Sequence, residues 1–488
     1  MSATAIAFSV YLLIILVIGF IASKLNKSNE DYLLGGRKIN GWFLAFSERA
    51  SGESAWLILG LPAAGLTVGL GESWTALGCV SGILFAWFFI ARPLRARTAQ
   101  MHSLTLPQYL GSLFGGCRII TGLGALITIF FYTIYVASGF NAAGTILNFT
   151  FEMDPTTGVL IGAVVVTLYT MLGGFAAVVY TDVLQALLMF ATCVILPVVA
   201  IMDMGGIGAF TEAISQVQDP VFLSWTNGKP GIEGLLFVLG GLGWGFGYLG
   251  QPHLLTRYMA MPSDADVKKG WVVAALWAIP AFAGALLIGL IAKVVFTTGQ
   301  LDAAGINLAD PTKEKLMPFF ATTYVIPVIA GVLISGAIAA MMSTADTQLL
   351  VCVSALCEDL YHRVLRKEPG EKQLLILSRG FTIAVCLVAL GITLSGNQTI
   401  MGMVSYAWGG LGSTFGPLVI LSLYWGGLKR KGVIAGLIFG FLGTILWRNG
   451  FFAGLPVQEI APERFSIFLL NIPVIILFSK LGKQGKSS

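Results

Sequence analysis

The chain has 488 residues, of which 56% are hydrophobic and 11% are charged. Soluble domains carry roughly 25% charged residues, so this composition excludes a soluble globular protein. The formal net charge of +5 comes without a basic stripe interleaved with aromatic residues, so nucleic-acid binding is not expected. The six cysteines and three histidines show no metal-ligand spacing, and the cysteines are expected to be small buried hydrophobic residues.

Long apolar runs follow one another along the whole sequence. A membrane-spanning helix needs about 20 predominantly apolar residues. The first run is expected to be a retained helix and not a cleaved signal peptide, because no basic segment precedes it and no cleavage site stands before Lys24. The thirteen predicted spans are 5–24, 42–70, 73–92, 118–148, 157–175, 180–202, 232–250, 269–296, 322–357, 376–395, 400–425, 432–448 and 464–481.

Lysine and arginine are distributed unequally over the alternate loops between these spans. One set of loops holds 22 of these residues and the other set holds six, while Arg49 lies inside a span. Because positive charges concentrate in cytoplasmic loops, the asymmetry predicts a periplasmic N-terminus and a cytoplasmic C-terminus. It also favours an odd number of spans.

The sequence contains no phosphate-binding loop of the form G-x-x-x-x-G-K-[ST], and no hydrophilic domain is expected at either end. Uphill transport would therefore use an ion gradient or the solute's own gradient. A solute sensor would need a signalling domain that the short tail after Leu481 does not supply. A membrane enzyme has little support, because there is no His-rich site, nucleophile–base pair or cofactor motif.

Two predicted spans contain segments that disfavour a continuous helix: Ala50 to Ser54 in the second span and the glycine-rich stretch from Gly240 to Pro252 in the seventh. Glycine destabilises a helix by up to about 1 kcal/mol relative to alanine, so interruptions are expected. The two segments lie five spans apart and run in opposite directions. Interrupted helices at corresponding positions of inverted repeats form transport sites near the bilayer midplane. Alternatively, the glycines only allow close helix packing.

Ionisable residues inside predicted spans are candidate functional residues, because a charge within lipid is unfavourable. Arg49 could pair with Asp346 or, four residues along the helix, with Glu53. An arginine at a cation site would replace a bound ion, whereas Glu53 without a partner could carry a proton. These charges could also form a purely structural network. The candidates are Glu48, Arg49, Glu53, Asp182 and Asp346.

Short motifs of one family recur along nearly the whole sequence. They are Leu34–Arg37, Leu104–Pro107, Gly173–Phe175 with Thr181, Asp182 and Gln185, Trp244–His253, Met342–Thr344, Gln348–Leu350, Glu358–Tyr361 and Val404–Trp408. Together they resemble the sodium:solute symporter family, and most closely its proline-carrying members. The resemblance implies an all-α polytopic protein of the bacterial inner membrane, with a LeuT-like core of two inverted five-helix repeats. The implied units are a leading helix with its cytoplasmic loop (1–41), the first repeat (42–202), the second repeat with its preceding external loop (203–425), and two trailing helices with a short tail (426–488).

The resemblance also implies alternating-access symport of proline, or a similar small amino acid, with Na⁺. Lipid and the small solute are the expected partners, with no obligate protein partner. The implied solute pocket comprises Trp56, Gly60, Tyr135, Trp244, Tyr248 and Pro252. The implied Na⁺ ligands are Ala50, Glu53, Ala340, Ser343 and Thr344, while Asp182 corresponds to a second-ion position and Arg49 and Asp346 are further coupling candidates.

The first interruption departs from the pattern of the proline-carrying members. Gly52 and Glu53 stand where those members have an aspartate followed by a methionine. The carboxylate has thus moved by one position, which keeps a negative charge beside the implied cation site. Proton-coupled transport, ion-independent transport and a different small organic solute therefore remain alternatives.

Overall fold

The computed structural model describes residues 3–23, 29–172, 174–297, 301, 304–307, 311–367, 370–396, 399–451 and 462–481. Within these ranges the regular secondary structure is entirely helical. The helices are α1 Ala3–Ser23, α2 Asn29–Leu34, α3 Gly41–Gly52, α4 Leu61–Val68, α5 Ser73–Phe85, α6 Ala91–Gln100, α7 Leu106–Ser112, α8 Arg118–Phe151, α9 Pro155–Leu172, α10 Phe175–Asp203, α11 Ile207–Ser215, α12 Gly231–Leu242, α13 Trp244–Gly247, α14 Pro252–Ala260, α15 Asp264–Phe296, α16 Leu316–Tyr324, α17 Pro327–Ser354, α18 Glu371–Ser395, α19 Ile400–Tyr424, α20 Arg430–Arg448 and α21 Glu463–Leu481.

Each predicted span coincides with one of these helices or with consecutive helices. Among the described residues, nine helices are long and apolar enough to cross a membrane, and the bent pair Gly231–Gly247 and Pro252–Ala260 forms a tenth candidate. The second half of the predicted second span and the whole predicted third span fall within one apolar stretch, Trp56–Gln100. The all-α polytopic class is therefore confirmed, while the count of thirteen spans and the division into repeat units stay predictions.

Helix α17 is the central helix of the bundle. In the most apolar part of the continuous helix that contains α17, 83% of the residues are buried, compared with 22% in the leading helix α1. Helix α17 therefore packs against protein, while α1 faces outward. Helices α1, α3, α8 and α10 all pack against α17. Because α17 carries three of the five predicted cation ligands, Ala340, Ser343 and Thr344, these three lie inside the protein and away from lipid.

Glycines allow helix α5 to approach the second interrupted helix closely. A Cβ atom added at Gly82 would lie 2.3 Å from the backbone oxygen of Gly245, and one added at Gly245 would lie 2.4 Å from the oxygen of Gly78. Small residues at such crossings let two backbones come into contact within a membrane. This crossing positions the second interruption, since α13 lies directly against α5.

The glycine crossing is tested by a single added methyl group. Gly82→Ala should lower the apparent melting temperature of the purified protein, since overpacking typically costs about 1–3 kcal/mol. The matched control is Gly380→Ala, because a Cβ atom at this exposed helical position meets no atom within 4 Å. Alanine there should leave the melting temperature unchanged or raise it. Equal melting temperatures for the two variants would contradict the crossing.

Candidate functional site

The first predicted interruption is present at Glu53. Helix α3 ends at Gly52, and Glu53 has backbone angles of φ −103° and ψ 11°, outside the helical range. A π-helical stretch, Trp56–Gly60, then leads into α4. Such π stretches within helices occur frequently at functional sites. The interruption is therefore a break of one residue in the helix and not an extended loop.

The second predicted interruption is wider. Helix α12 ends at Leu242, α13 forms a single turn, and Gln251 is extended before α14 begins at Pro252. Proline suits the first helical position because it lacks the N–H that would have no partner there. The helix axes before and after the interruption differ by 45°.

The two interruptions lie against each other. The hydroxyl of Tyr248 donates hydrogen bonds to the carboxylate of Glu53, at 2.9 and 3.1 Å. The Nε2 atom of His253 lies 3.2 Å from the carbonyl oxygen of Ser51. Polar groups of the second interruption thus meet backbone and carboxylate groups of the first.

A charged network occupies the end of α3. Arg49 donates from Nε and Nη2 to the two carboxylate oxygens of Glu48 and from Nη1 to Glu53, at 2.7 Å in the last case. All three side chains are fully buried. Arg49 thus pairs with Glu53 and not with Asp346, so the carboxylate of Glu53 has a buried partner. The i, i+4 spacing on one helix face accounts for the contact.

Neighbouring helices complete this network. Trp87 Nε1 donates to Glu48 at 3.0 Å, and the Tyr258 hydroxyl donates to Glu48 at 3.1 Å. Two carboxylates and one guanidinium leave one negative charge in excess when both carboxylates are ionised. A buried ionic group of this kind is tolerated only when it is closely hydrogen-bonded, and its disruption is strongly destabilising.

A second polar network joins α14 to α3 and α10. Arg257 donates from Nη2 to Asp182 at 3.2 Å, to Ser51 at 2.9 Å and to Thr347 at 2.7 Å. Ser47 also donates to Asp182, at 2.6 Å. Asp182 is therefore part of the site, although it lies 131 positions from Ser51 in the sequence. Its guanidinium partner comes from the helix that follows the second interruption.

Asp346 lies beside the second network but is not hydrogen-bonded to it. Its carboxylate is fully buried, and within the described part of the chain neither of its oxygens has a hydrogen-bond partner. The Oδ1 atom of Asp182 is likewise without a partner there. Buried polar atoms normally have hydrogen-bond partners, so these three carboxylate oxygens are exceptions within the site.

Four of the five predicted Na⁺-ligand residues lie together where α17 faces the end of α3. Ser343 donates to the carbonyl oxygens of Ala50, at 3.0 Å, and Ala340, at 3.2 Å. Thr344 donates to the carbonyl oxygen of Ser51 at 3.0 Å. Carbonyl and hydroxyl oxygens are hard ligands that suit a small cation. The donor set therefore fits Na⁺, with Ser51 as a candidate that the sequence did not indicate.

Glu53 is the fifth predicted ligand residue, through its backbone carbonyl, and this assignment stays a prediction, while its side chain is engaged away from α17. The carboxylate accepts hydrogen bonds from Arg49 and Tyr248 instead of facing the hydroxyl groups of α17. The guanidinium of Arg49 lies next to the bend, with Nη2 at 3.7 Å from the position of a Cβ atom at Gly52.

The predicted solute residues Trp56 and Trp244 come into direct contact. Their rings stack with centroids 5.1 Å apart at an angle of 17°. Trp56 is fully buried, and its Nε1 donor has no hydrogen-bond partner among the described residues. Gly60 follows one turn later, where a Cβ atom would lie 3.4 Å from Met401. An unpaired buried donor beside two parallel rings is a suitable contact for a small polar solute.

The predicted solute residues Tyr135 and Pro252 border different cavities. Tyr135 is hydrogen-bonded to Ser54 at 3.2 Å, and both border a cavity with an empty volume of about 190 Å³. Pro252 instead borders a cleft of about 440 Å³ together with Arg257 and Asp359. The physical reason is that the stacked tryptophan rings fill the space between the interruptions, while Pro252 lies beyond the bend of its helix.

Two side chains that the sequence analysis did not select hold Trp244 in place. Trp408 donates from Nε1 to the carbonyl oxygen of Trp244 at 3.0 Å. The guanidinium of Arg464 lies 4.7 Å from the centroid of the Trp244 ring, and its Nε donates to Gly240 at 3.3 Å. Trp408 belongs to the family motif Val404–Trp408, so the sequence could have indicated it. Arg464 lies at the start of the trailing helix α21, and no sequence motif marks it.

Comparison with known proteins gives a consistent result. The model of the sodium:solute symporter family matches residues 32–440. The chain is 38% identical to the sodium/proline symporter of Escherichia coli (strain K12), over 99% of this chain and 94% of that protein. It is 35% identical to the high-affinity proline transporter PutP of Bacillus subtilis (strain 168), over 96% of this chain and 97% of that protein.

Two solved structures confirm the fold class. A Na⁺-coupled sialic acid symporter in a substrate-bound outward-open state aligns with a TM-score of 0.80 at 20% identity, covering 99% of this chain and 98% of that one. MhsT in complex with L-phenylalanine aligns with a TM-score of 0.56 at 14% identity, covering 90% and 97%. The helical transporter fold that the resemblance implied is therefore present.

The charged network on α3 is tested by removing its only guanidinium. Arg49→Met should destabilise the protein by about 3–5 kcal/mol, because two buried carboxylates lose their counterion. Adding Glu48→Gln should recover part of this loss, since one uncompensated charge is then removed. Urea or thermal unfolding in detergent measures both effects. A double variant as unstable as Arg49→Met would contradict the pairing.

Proposed function

The chain belongs to the sodium:solute symporter family, and we propose that it couples Na⁺ movement to the uptake of proline or a similar small amino acid. It is a multi-pass membrane transporter that carries out cation-coupled solute symport, and it is not an enzyme. The observation that carries the proposal is the contact between the two interruptions. Hard oxygen ligands and stacked aromatic rings lie there within one buried region.

The cation ligands link the first interruption to α17. In this structure the hydroxyl of Ser343 donates a hydrogen bond to the carbonyl oxygen of Ala50. With Na⁺ between the helices, both oxygens would face the ion, and the hydroxyl proton would turn away. The ion would thus fix the bend of α3 against α17, the arrangement that also places Trp56. Solute affinity should therefore rise with Na⁺, and by linkage Na⁺ affinity should rise with solute.

The solute would bind where Trp56 and Trp244 now stack. Separation of the two rings would leave parallel apolar walls, which suit the compact ring of proline. The unpaired Nε1 donor of Trp56 would be available to a carboxylate oxygen of the solute. Tyr135, Tyr248 and Gly60 are assigned to the rim of this pocket. The names of the relatives, which are sodium/proline symporters and proline transporters, support this substrate class.

The distribution of positive charge supports an assignment of the cytoplasmic face of the transporter. With a periplasmic N-terminus, the end of α17 and the α7 region face the cytoplasm. The cleft lined by Pro252, Arg257 and Asp359 then lies between the interruptions and the cytoplasm. We assign it as the exit path, with the hydrogen bond of 2.7 Å from Thr105 to Asp359 at its border.

One observation favours a second coupling mode. The guanidinium of Arg49 is a permanent cation that lies against Gly52, beside the bend. If this internal cation took the place of the ion, transport would follow the solute gradient without Na⁺. The position of the oxygen ligands favours Na⁺, because Ala50, Ser343 and Ala340 are engaged with one another and not with Arg49.

Uptake into proteoliposomes tests the coupling ion. Proline uptake should require an inward Na⁺ gradient, and Ser343→Ala should raise the Na⁺ concentration for half-maximal uptake about 10- to 100-fold. This range corresponds to the 1.5–3 kcal/mol of a contact with a charged group. The matched control is Ser335→Ala on the same helix, whose buried hydroxyl donates only to Gly331, at 2.8 Å.

The outcomes separate the alternatives. Equal uptake when choline replaces Na⁺ would reject Na⁺ coupling and support the ion-independent mode. Uptake that follows a pH gradient in the absence of Na⁺ would support proton coupling. No uptake of proline or other small amino acids under any gradient would reject the substrate class.

A further inference from the structure

A large polar cavity lies away from the two interruptions, at one end of the bundle. It is open to solvent and is lined by residues of α7, by the turn before α8 with the start of that helix, and by the π-helical stretch Ala355–Val364 with the residues just after it. Three of its lining residues are arginines, namely Arg118, Arg363 and Arg366. Neither the predicted solute residues nor the predicted cation ligands line it.

The described side chains at the cavity carry excess positive charge. Among them, the carboxylate of Glu358 pairs with Arg363 at 3.0 Å and with His362 at 3.1 Å. Arg118 and Arg366 are exposed, and within the described ranges no hydrogen bond or ion pair engages either side chain. Two guanidinium groups therefore line one opening without a counterion from the part of the chain that the structure describes.

The backbone at the cavity adds hydrogen-bond donors, which favour an anion as the arginines do. Arg118 is the first residue of the 34-residue helix α8, and the preceding Cys117 provides no side-chain cap. The first N–H groups of a helix, together with its dipole, favour a bound anion. Gly115 and Gly116 form the preceding turn with φ of 66° and 74°, and a Cβ atom at either would meet nothing within 4 Å. The turn therefore leaves the opening unobstructed.

We propose that this cavity binds a phosphate oxyanion, supplied by the headgroup of an anionic phospholipid. Guanidinium groups bind phosphate through paired, charge-assisted hydrogen bonds, and two free ones are present here. Arg118 begins a membrane-spanning helix, and the adjacent Ile119 is 52% exposed, so acyl chains can lie along α8 below the headgroup. Basic cavities between spanning helices bind anionic headgroups in this way.

The site connects to the transport machinery through one helix. The π-helical stretch continues α17 without a break, and α17 carries Ser343 and Thr344. A headgroup held by both Arg118 and Arg366 would tie the end of this helix to the start of α8. The bound lipid should therefore stabilise the protein.

Thermal unfolding of the purified full-length protein in a neutral detergent tests the site. Phosphatidylglycerol should raise the apparent melting temperature by about 1–3 °C relative to phosphatidylcholine. Arg118→Gln with Arg366→Gln should abolish this difference. The control is Arg430→Gln with Lys431→Gln, which removes the same charge from two exposed residues at the start of α20 and should retain the difference.

Two further arms separate the source of the anion and the role of charge. The N-methylglucamine salt of phosphate should stabilise the protein much less than phosphatidylglycerol, and equal stabilisation would overturn the lipid source. Arg118→Lys with Arg366→Lys keeps the charge without the paired donors and should retain an intermediate shift. The proposal is overturned if phosphatidylglycerol has no specific effect on the parent protein, or if the control pair loses the shift to the same extent.

Discussion

The structure depends on the hydrogen bonds that two interrupted helices form with each other inside a membrane protein. Backbone and charged groups freed by a bend have no water available in lipid, and they must find partners within the protein. Here Tyr248 bonds to Glu53, and His253 lies within hydrogen-bonding distance of Ser51. The same contact brings Trp56 onto Trp244. The groups that connect the two interruptions would therefore also recognise the solute and the cation.

Charge is arranged around this contact in two buried networks. Arg49 joins Glu48 and Glu53 on one side, and Arg257 joins Asp182 to the hydroxyl groups of α3 and α17 on the other. The predicted cation ligands lie where α3 faces α17, and both networks include residues of α3. A change in the bend of α3 therefore moves both networks, which offers a route for coupling between ion and solute.

The sequence predicted those features whose cause is local or whose pattern is shared by a family. Segments unfavourable to a continuous helix predicted both interruptions, and the resemblance placed Ser343 at the same site as Ala50. Partners that depend on three-dimensional packing were not predictable. Arg49 had two possible partners, and the spacing alone did not decide between them. Arg464 bonds to Gly240, 224 positions away, so no local pattern links it to Trp244. The stack of Trp56 on Trp244 likewise joins residues of different helices that are distant in the sequence.

The most direct measurement is a cryo-electron microscopy map of the protein in lipid nanodiscs with saturating Na⁺ and proline. We expect solute density between separated rings of Trp56 and Trp244, and an ion in contact with the carbonyl oxygen of Ala50 and the hydroxyl of Ser343. A map in which the tryptophan stack is unchanged and the solute lies elsewhere, or in which both helices pass each other without a bend, would contradict this account.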